Sequence, residues 1–399
     1  MLIVQKYGGT SVGTLDRIEE VAKRIIISKN KGNKLVIIVS AMSGITNKLI
    51  AYAQHFASNP NGMDMDMLLS SGERVSAALL SIALNEKGYK AISFSGRRAG
   101  IITDNVHTKA RIKTINTENI LKELKNDKIV IIAGFQGVDE DGHVTTLGRG
   151  GSDLSAVAIA GALNANLCEI YTDVDGVYTT DPRIEPKAKK IECISYDEML
   201  ELASLGAKVL QNRSVELAKK LNVKIITRSS FNNNEGTIIT KEENMEQALI
   251  SGIALDKNQA RITLRQVKDK PGIAAEIFSA LADANINVDM IIQNVGINEA
   301  TNLGFTVPQN ELELAKNTMQ NILGDLIIET DKDIAKVSIV GVGMKSHSGV
   351  ASAAFKALAK EGINIQMIST SEIKISMIVQ EKYAELAVRA LHEVYRLDL

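Results

Sequence analysis

The chain has 399 residues, enough for two or three domains, and its 45% apolar and 23% charged residues are an ordinary balance for a folded globular protein. A formal net charge of −1 argues against a general nucleic-acid-binding or anionic-membrane surface. Its two cysteines, Cys168 and Cys193, provide neither a disulfide framework nor a metal-ligand spacing, which fits a reducing compartment.

The opening MLIVQKYGG reads as a strand breaking into glycine, without the basic and apolar regions of a secretion signal. No uninterrupted apolar run reaches 18 residues, so a cytoplasmic location away from the membrane is expected. Residues 2–4 predict a first strand, and Ile18, Val21, Ala22, Ile25 and Ile26 recur as one apolar helical face. KLVIIV at 34–39 predicts a second, buried strand, followed by a helix over about 65–86. Further strands are expected at 128–133, 167–171, 223–228 and 236–240. Buried strands alternating with helices imply an α/β fold, a mostly parallel open sheet covered by helices on both faces. Three strands run into glycine-rich loops, KYGGTSVG, SAMSG and GFQG, and such loops at strand carboxyl ends are where open α/β sheets bind ligands.

The polar stretch 241–248 marks a domain boundary, which places a catalytic domain at 1–245. Beyond it lies an internal repeat: PGIAAEIFSALADANINVDMI at 271–291 aligns with SGVASAAFKALAKEGINIQMI at 348–368. Matched positions include Gly272 with Gly349, Phe278 with Phe355, Asn287 with Asn364 and Met290 with Met367. The first copy predicts strand 261–266, helix 273–284, strand 287–292, strand 303–307 and helix 311–322, with a final strand to follow. That order is ferredoxin-like, and it predicts small domains at 251–330 and 332–399, the last residues being able to pair with the first. Units of this size suit paired, structural or regulatory use.

In KYGGTSVG, residues 6–13, Gly8 and Gly9 let backbone N–H groups approach phosphate oxygens, and Lys6 can place charge over a transferring phosphoryl group. The same residues also suit a plain turn; neither a Walker A loop nor GxGxxG is present. GRGGSD at 148–153 is a second glycine loop opening a helix. There Arg149 suits a bidentate grip on a carboxylate, and Asp153 either orients Lys6 or caps the helix. Glu73, read as lying at a helix start, can favour the helix dipole or receive an ammonium group. Thr46 can donate to a carboxylate or complete a turn. The loop YTDVDGVYTTDPRI, 171–184, can hold a nucleotide's sugar and base, with Tyr178 as a stacking surface. No histidine falls in a zinc-like spacing, so no metal ligands are assigned. Phosphoryl transfer needs no covalent nucleophile, because it rests on positioning and electrostatic stabilisation.

KYGGTSVG, VSAMSGITN, SSGERVSAALL, TLGRGGSD, YTDVDGVYTTDPRI, LASLGAKVLQNRSVELAKK and MISTSEIKIS stand in order from residue 6 to residue 376. Together they resemble the monofunctional aspartate kinases, which join an amino-acid-kinase catalytic domain to tandem ACT domains. The resemblance implies ATP-dependent phosphorylation of the L-aspartate side-chain carboxylate, using ATP and Mg2+. It makes Lys6, Gly8 and Gly9 the phosphoryl-binding loop, Lys6 and Asp153 the catalytic pair, and Thr46, Glu73 and Arg149 the aspartate-recognising set. Arg149 would hold the α-carboxylate and Glu73 the amino group. Thr172, Asp173, Tyr178, Arg183 and Lys208 would contact the nucleotide.

The same resemblance implies feedback inhibition by lysine, threonine or both, bound near Asp269, Gly272, Ile273, Asn287, Asp289, Gln293 and Asn294, with Asn364 and Ile365 opposite. A homo-oligomer joined through the ACT domains is expected, with a separate short regulatory chain as a further partner. Where many relatives read GSDTTA this chain reads GSDLSA, so Leu154 and Ser155 replace two hydroxyl residues. Another amino-acid kinase and a catalytically idle amino-acid sensor are the competing readings. SGERVSA and MSGITN count against the first, and the presence of Lys6, Glu73, Arg149 and Asp153 counts against the second.

Overall fold

β-Branched runs one strand long, each followed by an amphipathic helix, can bury both faces only in a layered α/β arrangement. The computed structural model describes residues 1–204, 209–241, 249–268, 270–294, 300–324, 326–342, 344, 347 and 349–399. The described residues of Met1–Val177, Lys190–Ser204 and Lys208–Asn244 form one unit; those of Tyr178–Lys189 and Met245–Leu399 form another.

The first unit opens with β1 (Leu2–Tyr7), α1 (Leu15–Asn30), β2 (Lys34–Val39), α2 (Ile45–Phe56), α3 (Gly62–Glu86) and β3 (Ala91–Phe94). β4 (Ile101–Thr103), β5 (Ile112–Ile115), α4 (Glu118–Lys125), β6 (Ile129–Ala133), β7 (Gln136–Val138) and β8 (Val144–Thr146) follow. It closes with α5 (Gly151–Ala162), β9 (Leu167–Thr172), β10 (Cys193–Ser195), α6 (Tyr196–Ser204), α7 (Asn212–Leu221), β11 (Ile225–Ser229) and β12 (Thr237–Thr240). Eight strands make the main sheet in the order β10-β12-β11-β9-β1-β2-β6-β3. Every pairing in it is parallel except that of β11 with β12.

Strand alternation sorts the side chains between two layers. Ile3, Tyr7, Leu35, Ile37, Val39, Ile129 and Ile131 share a core with Ile18, Val21 and Ile25 of α1 and Ala77, Leu80 and Leu84 of α3. Lys6, out of phase with Ile3 and Tyr7, reaches Asp153 of α5 instead. That helix is buried at every residue from Gly151 to Ala160, as its run of small apolar residues requires. A second, four-stranded sheet, β5-β4-β7-β8, leads directly into the Gly148–Gly150 turn.

α3 begins at Gly62, three residues ahead of the predicted helix, where the Asn61 side chain accepts a hydrogen bond from Met63 N at 2.9 Å. It is the one helix among the described residues long and apolar enough to cross a membrane, yet Leu69, Ala77, Leu80 and Leu84 on it are buried within the unit. Glu73 lies midway along α3, so the expectation of a helix-start position is corrected: the dipole of the first turn does not reach it.

The second unit contains β13 (Gly252–Lys268), α8 (Ile273–Asp283), β14 (Ile291–Gln293), β15 (Ala300–Val307), α9 (Leu312–Leu323) and β16 (Ile328–Val340). α10 (Val350–Lys360), β17 (Met367–Thr370), β18 (Lys374–Gln380) and α11 (Ala384–Val394) complete it. One antiparallel sheet runs β14-β15-β13-β16-β18-β17. The two long central strands serve both repeats. Residues 260–264 of β13 pair with β15, while residues 252–256 pair with 336–340 of β16.

Gly272 and Gly349 take the same left-handed cap, at φ +96° and +100°, where a side chain would be strained. Their helices cover two separate cores, one around Ile262, Phe305 and Ile277, the other around Val337, Met377 and Leu358. The equivalent Met290 and Met367 meet in a third cluster with Ile334 and Ile378. The strand predicted at 287–292 is shorter than expected, because hydrogen bonding with β15 as a ladder begins only at Ile291.

Candidate active site

β1, β2 and β9 are adjacent and parallel, so their carboxyl ends deliver three loops to one place. Gly8 N donates to Tyr171 O at 3.2 Å, and Ser11 N and Val12 N donate back to Gly8 O. A Cβ on Gly9 would stand 2.9 Å from Ala41 O, too close for any side chain, so the β1 and β2 loops pack backbone to backbone. Gly9 N and Thr10 N make no hydrogen bond among the described residues. Beside this cradle Lys6 Nζ forms a 2.6 Å ion pair with Asp153 Oδ1, both side chains nearly buried. Asp153 is therefore no helix cap. The cap position is Gly150, at φ +73°, and among the described residues no side chain bonds there.

Glu73 is 4% exposed on the inner side of α3. Its Oε1 accepts from Ala41 N at 3.1 Å, while Oε2 is buried with no hydrogen-bond partner among the described residues. Burial pushes its carboxyl up to about 7, against two backbone hydrogen bonds that lower it. An orphaned, buried carboxylate oxygen is costly, and a hydrogen-bond donor brought to Oε2, most of all a cationic one, would offset that cost. Thr46 is half-buried at the start of α2, which the β2 loop feeds. Arg149 is exposed between Gly148 and Gly150, at φ +78° and +73°, and its carbonyl accepts from Gln211 Nε2 at 3.2 Å.

Thr172 ends β9 and donates to Asp173 Oδ1 at 3.0 Å, close in sequence to the Tyr171 carbonyl that holds Gly8. Tyr178 and Arg183 belong to the second unit, where Arg183 grips Asp181 with Nη2 to Oδ2 at 2.6 Å. Lys208 lies outside the described residues. The Tyr178–Lys189 segment is fixed within its unit by Ile253 N to Thr179 O at 2.7 Å and by Thr179 Oγ1 to His392 Nε2 at 3.0 Å.

The amino acid kinase family model matches residues 1–229, and the ACT domain model matches 265–322 and 337–395. A Helicobacter pylori aspartokinase is 61% identical over the full length of both chains, and a Pseudomonas putida aspartate kinase is 53% identical over all of this chain and 98% of that one. The chain belongs to the aspartokinase family. E. coli aspartokinase III in complex with aspartate and ADP superposes at a TM-score of 0.83 with 28% identity, covering 99% of each chain. The same enzyme in complex with lysine and aspartate gives 0.79 at 28% identity, over 98% of this chain and 99% of that one.

Other residues of the first unit hold the loops of this aspartokinase in place. Arg213, within LQNRSVE, donates from Nη1 to Leu147 O at 2.8 Å and from Nη2 to Ala110 O at 3.2 Å. Ser155 Oγ accepts from Phe135 N and donates to Gly151 O, so the hydroxyl kept there locks the α5 entrance. Leu154, at the other altered position, packs against Ala110 and Leu147. Asp139, Asp141 and His143 bring ligand atoms within 4.8 Å of one another at the β7–β8 turn, a grouping their spacing does not announce. His143 N and Nδ1 bond Asp139 there, an ordinary hairpin closure.

In the second unit Gly272 caps α8 and Ile273 is buried as its first residue. Asn287 N donates to Glu311 Oε2 at 3.0 Å, and Asp289 is ion-paired with the buried Lys336. Gln293 ends β14, Asn294 N reaches Asn302 O at 3.4 Å, Asn364 is exposed and Ile365 half-buried. Asp269 lies outside the described residues.

Proposed function

We propose that Lys6, Asp153, Glu73 and Arg149 form the working centre of an aspartate kinase. The reaction transfers the γ-phosphoryl group of ATP to the side-chain carboxylate of L-aspartate, and regulation by feedback acts through the ACT domains. The observation that carries the assignment is the nearly buried Lys6–Asp153 pair beside a glycine cradle in which Gly9 N and Thr10 N make no hydrogen bond among the described residues.

The attacking carboxylate oxygen forms a bond to the γ-phosphorus as the bond to the β–γ bridging oxygen breaks, giving 4-phospho-L-aspartate and ADP. A carboxylate is ionised at pH 7, so no proton need be removed. The difficulty is bringing two anions together. Lys6 supplies positive charge at the γ-phosphoryl group, and Asp153 fixes its ammonium in place. Gly8 and Gly9 admit the phosphates to the backbone. Mg2+ bound with the nucleotide would share the neutralisation of phosphate charge, and Asp153 is the carboxylate of this centre suited to face it. Glu73 takes the substrate ammonium at Oε2, Arg149 grips the α-carboxylate, and Thr46 donates beside them.

We assign the nucleotide's sugar, base and phosphates to Thr172, Asp173, Tyr178, Arg183 and Lys208, on the order of these residues in the aspartokinase motifs. The effector, lysine or threonine or both, is assigned to Asp269, Gly272, Ile273, Asn287, Asp289, Gln293 and Asn294, with Asn364 and Ile365 opposite. The glycine-capped repeat supports that assignment. Catalytic residues 1–245, ACT residues 251–330 and 332–399, a homo-oligomer joined through the ACT sheets, a short regulatory chain as partner and a cytoplasmic location belong to the same reading.

Steady-state kinetics of Lys6→Ala test the assignment. kcat should fall by at least a hundredfold while the dissociation constant for ATP changes much less. Unchanged turnover would remove Lys6 from the reaction.

A further inference from the structure

We infer that Asp66 is a positioning residue for the amino-acid substrate, setting the Arg149 turn against Glu73 from the same helix. This rests on the assignment of Arg149 and Glu73 to L-aspartate.

Asp66 is fully buried in the second turn of α3, an unusual place for a carboxyl group. Three donors converge on it. Thr108 N donates to both oxygens, at 3.0 and 3.1 Å; the Thr146 hydroxyl donates to Oδ1; and the His107 ring nitrogen Nδ1 lies 2.7 Å from Oδ2. Removing Asp66 would therefore orphan the buried Thr146 hydroxyl on one segment and the half-buried His107 and Thr108 donors on another.

Those segments frame the Arg149 turn. Thr146 is the last residue of β8, three positions before Arg149, and its carbonyl accepts from Ala110 N at 2.9 Å. Thr108 packs under the turn: a Cβ on Gly148 would stand 3.2 Å from Thr108 O. Thr108 itself takes φ +65°, a left-handed conformation that β-branched residues strongly disfavour. Strain of that kind persists only where surrounding contacts enforce it, and the two hydrogen bonds from Thr108 N to Asp66 are such contacts. The helix also sits hard against this loop, since a Cβ on Gly62 would lie 2.8 Å from His107 Cβ.

Asp66 and Glu73 are seven residues apart, two turns of one helix, and both belong to its buried stripe with Ser70, Ala77 and Leu80. Glu73 takes the substrate's ammonium, and Arg149 its α-carboxylate. A single rigid helix thus carries one of these groups directly and locates the other through Asp66. Arg213 and Gln211 of α7 and its cap brace the same turn from its far side, at Leu147 O and Arg149 O. The nucleotide cradle at Gly8 and Gly9 makes none of these contacts.

The test is steady-state kinetics of Asp66→Asn, Thr146→Val and Thr146→Ser in the full chain, with L-aspartate and ATP varied separately. Asp66→Asn should raise KM for L-aspartate about tenfold or more, with KM for ATP within twofold of wild type. Thr146→Val should shift the same constant in the same direction, and Thr146→Ser, which keeps the hydroxyl, should restore it. Equal rises in both KM values, or a wild-type KM for L-aspartate in Asp66→Asn, would overturn the inference. If Asp66→Asn does not fold, the Thr146 pair decides: Val and Ser variants alike in KM for L-aspartate would overturn it. Wild-type enzyme without aspartate-dependent turnover would instead overturn the functional assignment on which it stands.

Discussion

Glu73 combines burial, one satisfied oxygen and one orphaned oxygen, and these three facts give it a pH dependence. Its folded-state value of about 7 stands above the ordinary 4.5, so the charged form is disfavoured by folding. Only the charged form attracts an ammonium group. kcat/KM for L-aspartate should therefore drop about tenfold per pH unit below about 7, and this limb should vanish in a much less active Glu73→Gln enzyme. The stability effect has the opposite sense. Stability from the raised value is fully present below pH 4.5 and lost as pH rises through 7. Unliganded Glu73→Gln should thus melt above wild type at pH 8, with the gap closing towards pH 5. Identical melting curves at both pH values would show that Glu73 carries no burial penalty.

Part of the candidate centre is visible in sequence at this scale, because Lys6, Gly8 and Gly9 are of a type and spacing that suit a phosphate loop as well as a plain turn, and the aspartate-kinase motifs favour the first. Asp66 does not. Its partners stand 41, 42 and 80 residues away, and nothing in MDMLLSS marks a carboxyl group destined for full burial. Glu73 was legible as a candidate ammonium acceptor, but its place at mid-helix required the start of α3 at Gly62 to be known.

Among the elements, the parallel sheet converts three distant sequence loops into neighbours. The β1 loop rests on the β2 loop at Gly9 and Ala41, and on β9 through Gly8 and Tyr171. Gly9→Ala would drive its methyl into Ala41 O, shifting the cradle and the Ala41 N–H that serves Glu73. kcat/KM should fall about a hundredfold for both substrates, since misplacement on the ångström scale costs that much. A loss confined to ATP would mean that the two loops move independently. The main-sheet strands other than β3 and β10 were readable from β-branched runs, whereas the short β7–β8 hairpin and the antiparallel pairing of β12 are set by tertiary packing.

For the molecule as a whole, the sequence repeat suggested two successive small domains, and the ACT sheet joins them more closely than a repeat alone conveys. β13 and β16 each run through both lobes, so neither lobe has its full sheet without residues contributed by a strand of the other. Hydrogen exchange in the full chain should protect residues 252–256 and 260–264 to the same degree, the lobes opening as one unit. Markedly faster exchange in one half of β13 would mean that they open separately. Such strand sharing is invisible to local periodicity, because a long strand and two short ones have the same alternation.

The most direct measurement is acyl-phosphate formation trapped with hydroxylamine, using Mg-ATP with L-aspartate or L-glutamate, and repeated with lysine, threonine and both. The account predicts product with L-aspartate, little with L-glutamate, and inhibition by at least one of the two effectors. Turnover with L-glutamate in place of L-aspartate, or saturable lysine or threonine binding without any turnover, would contradict it.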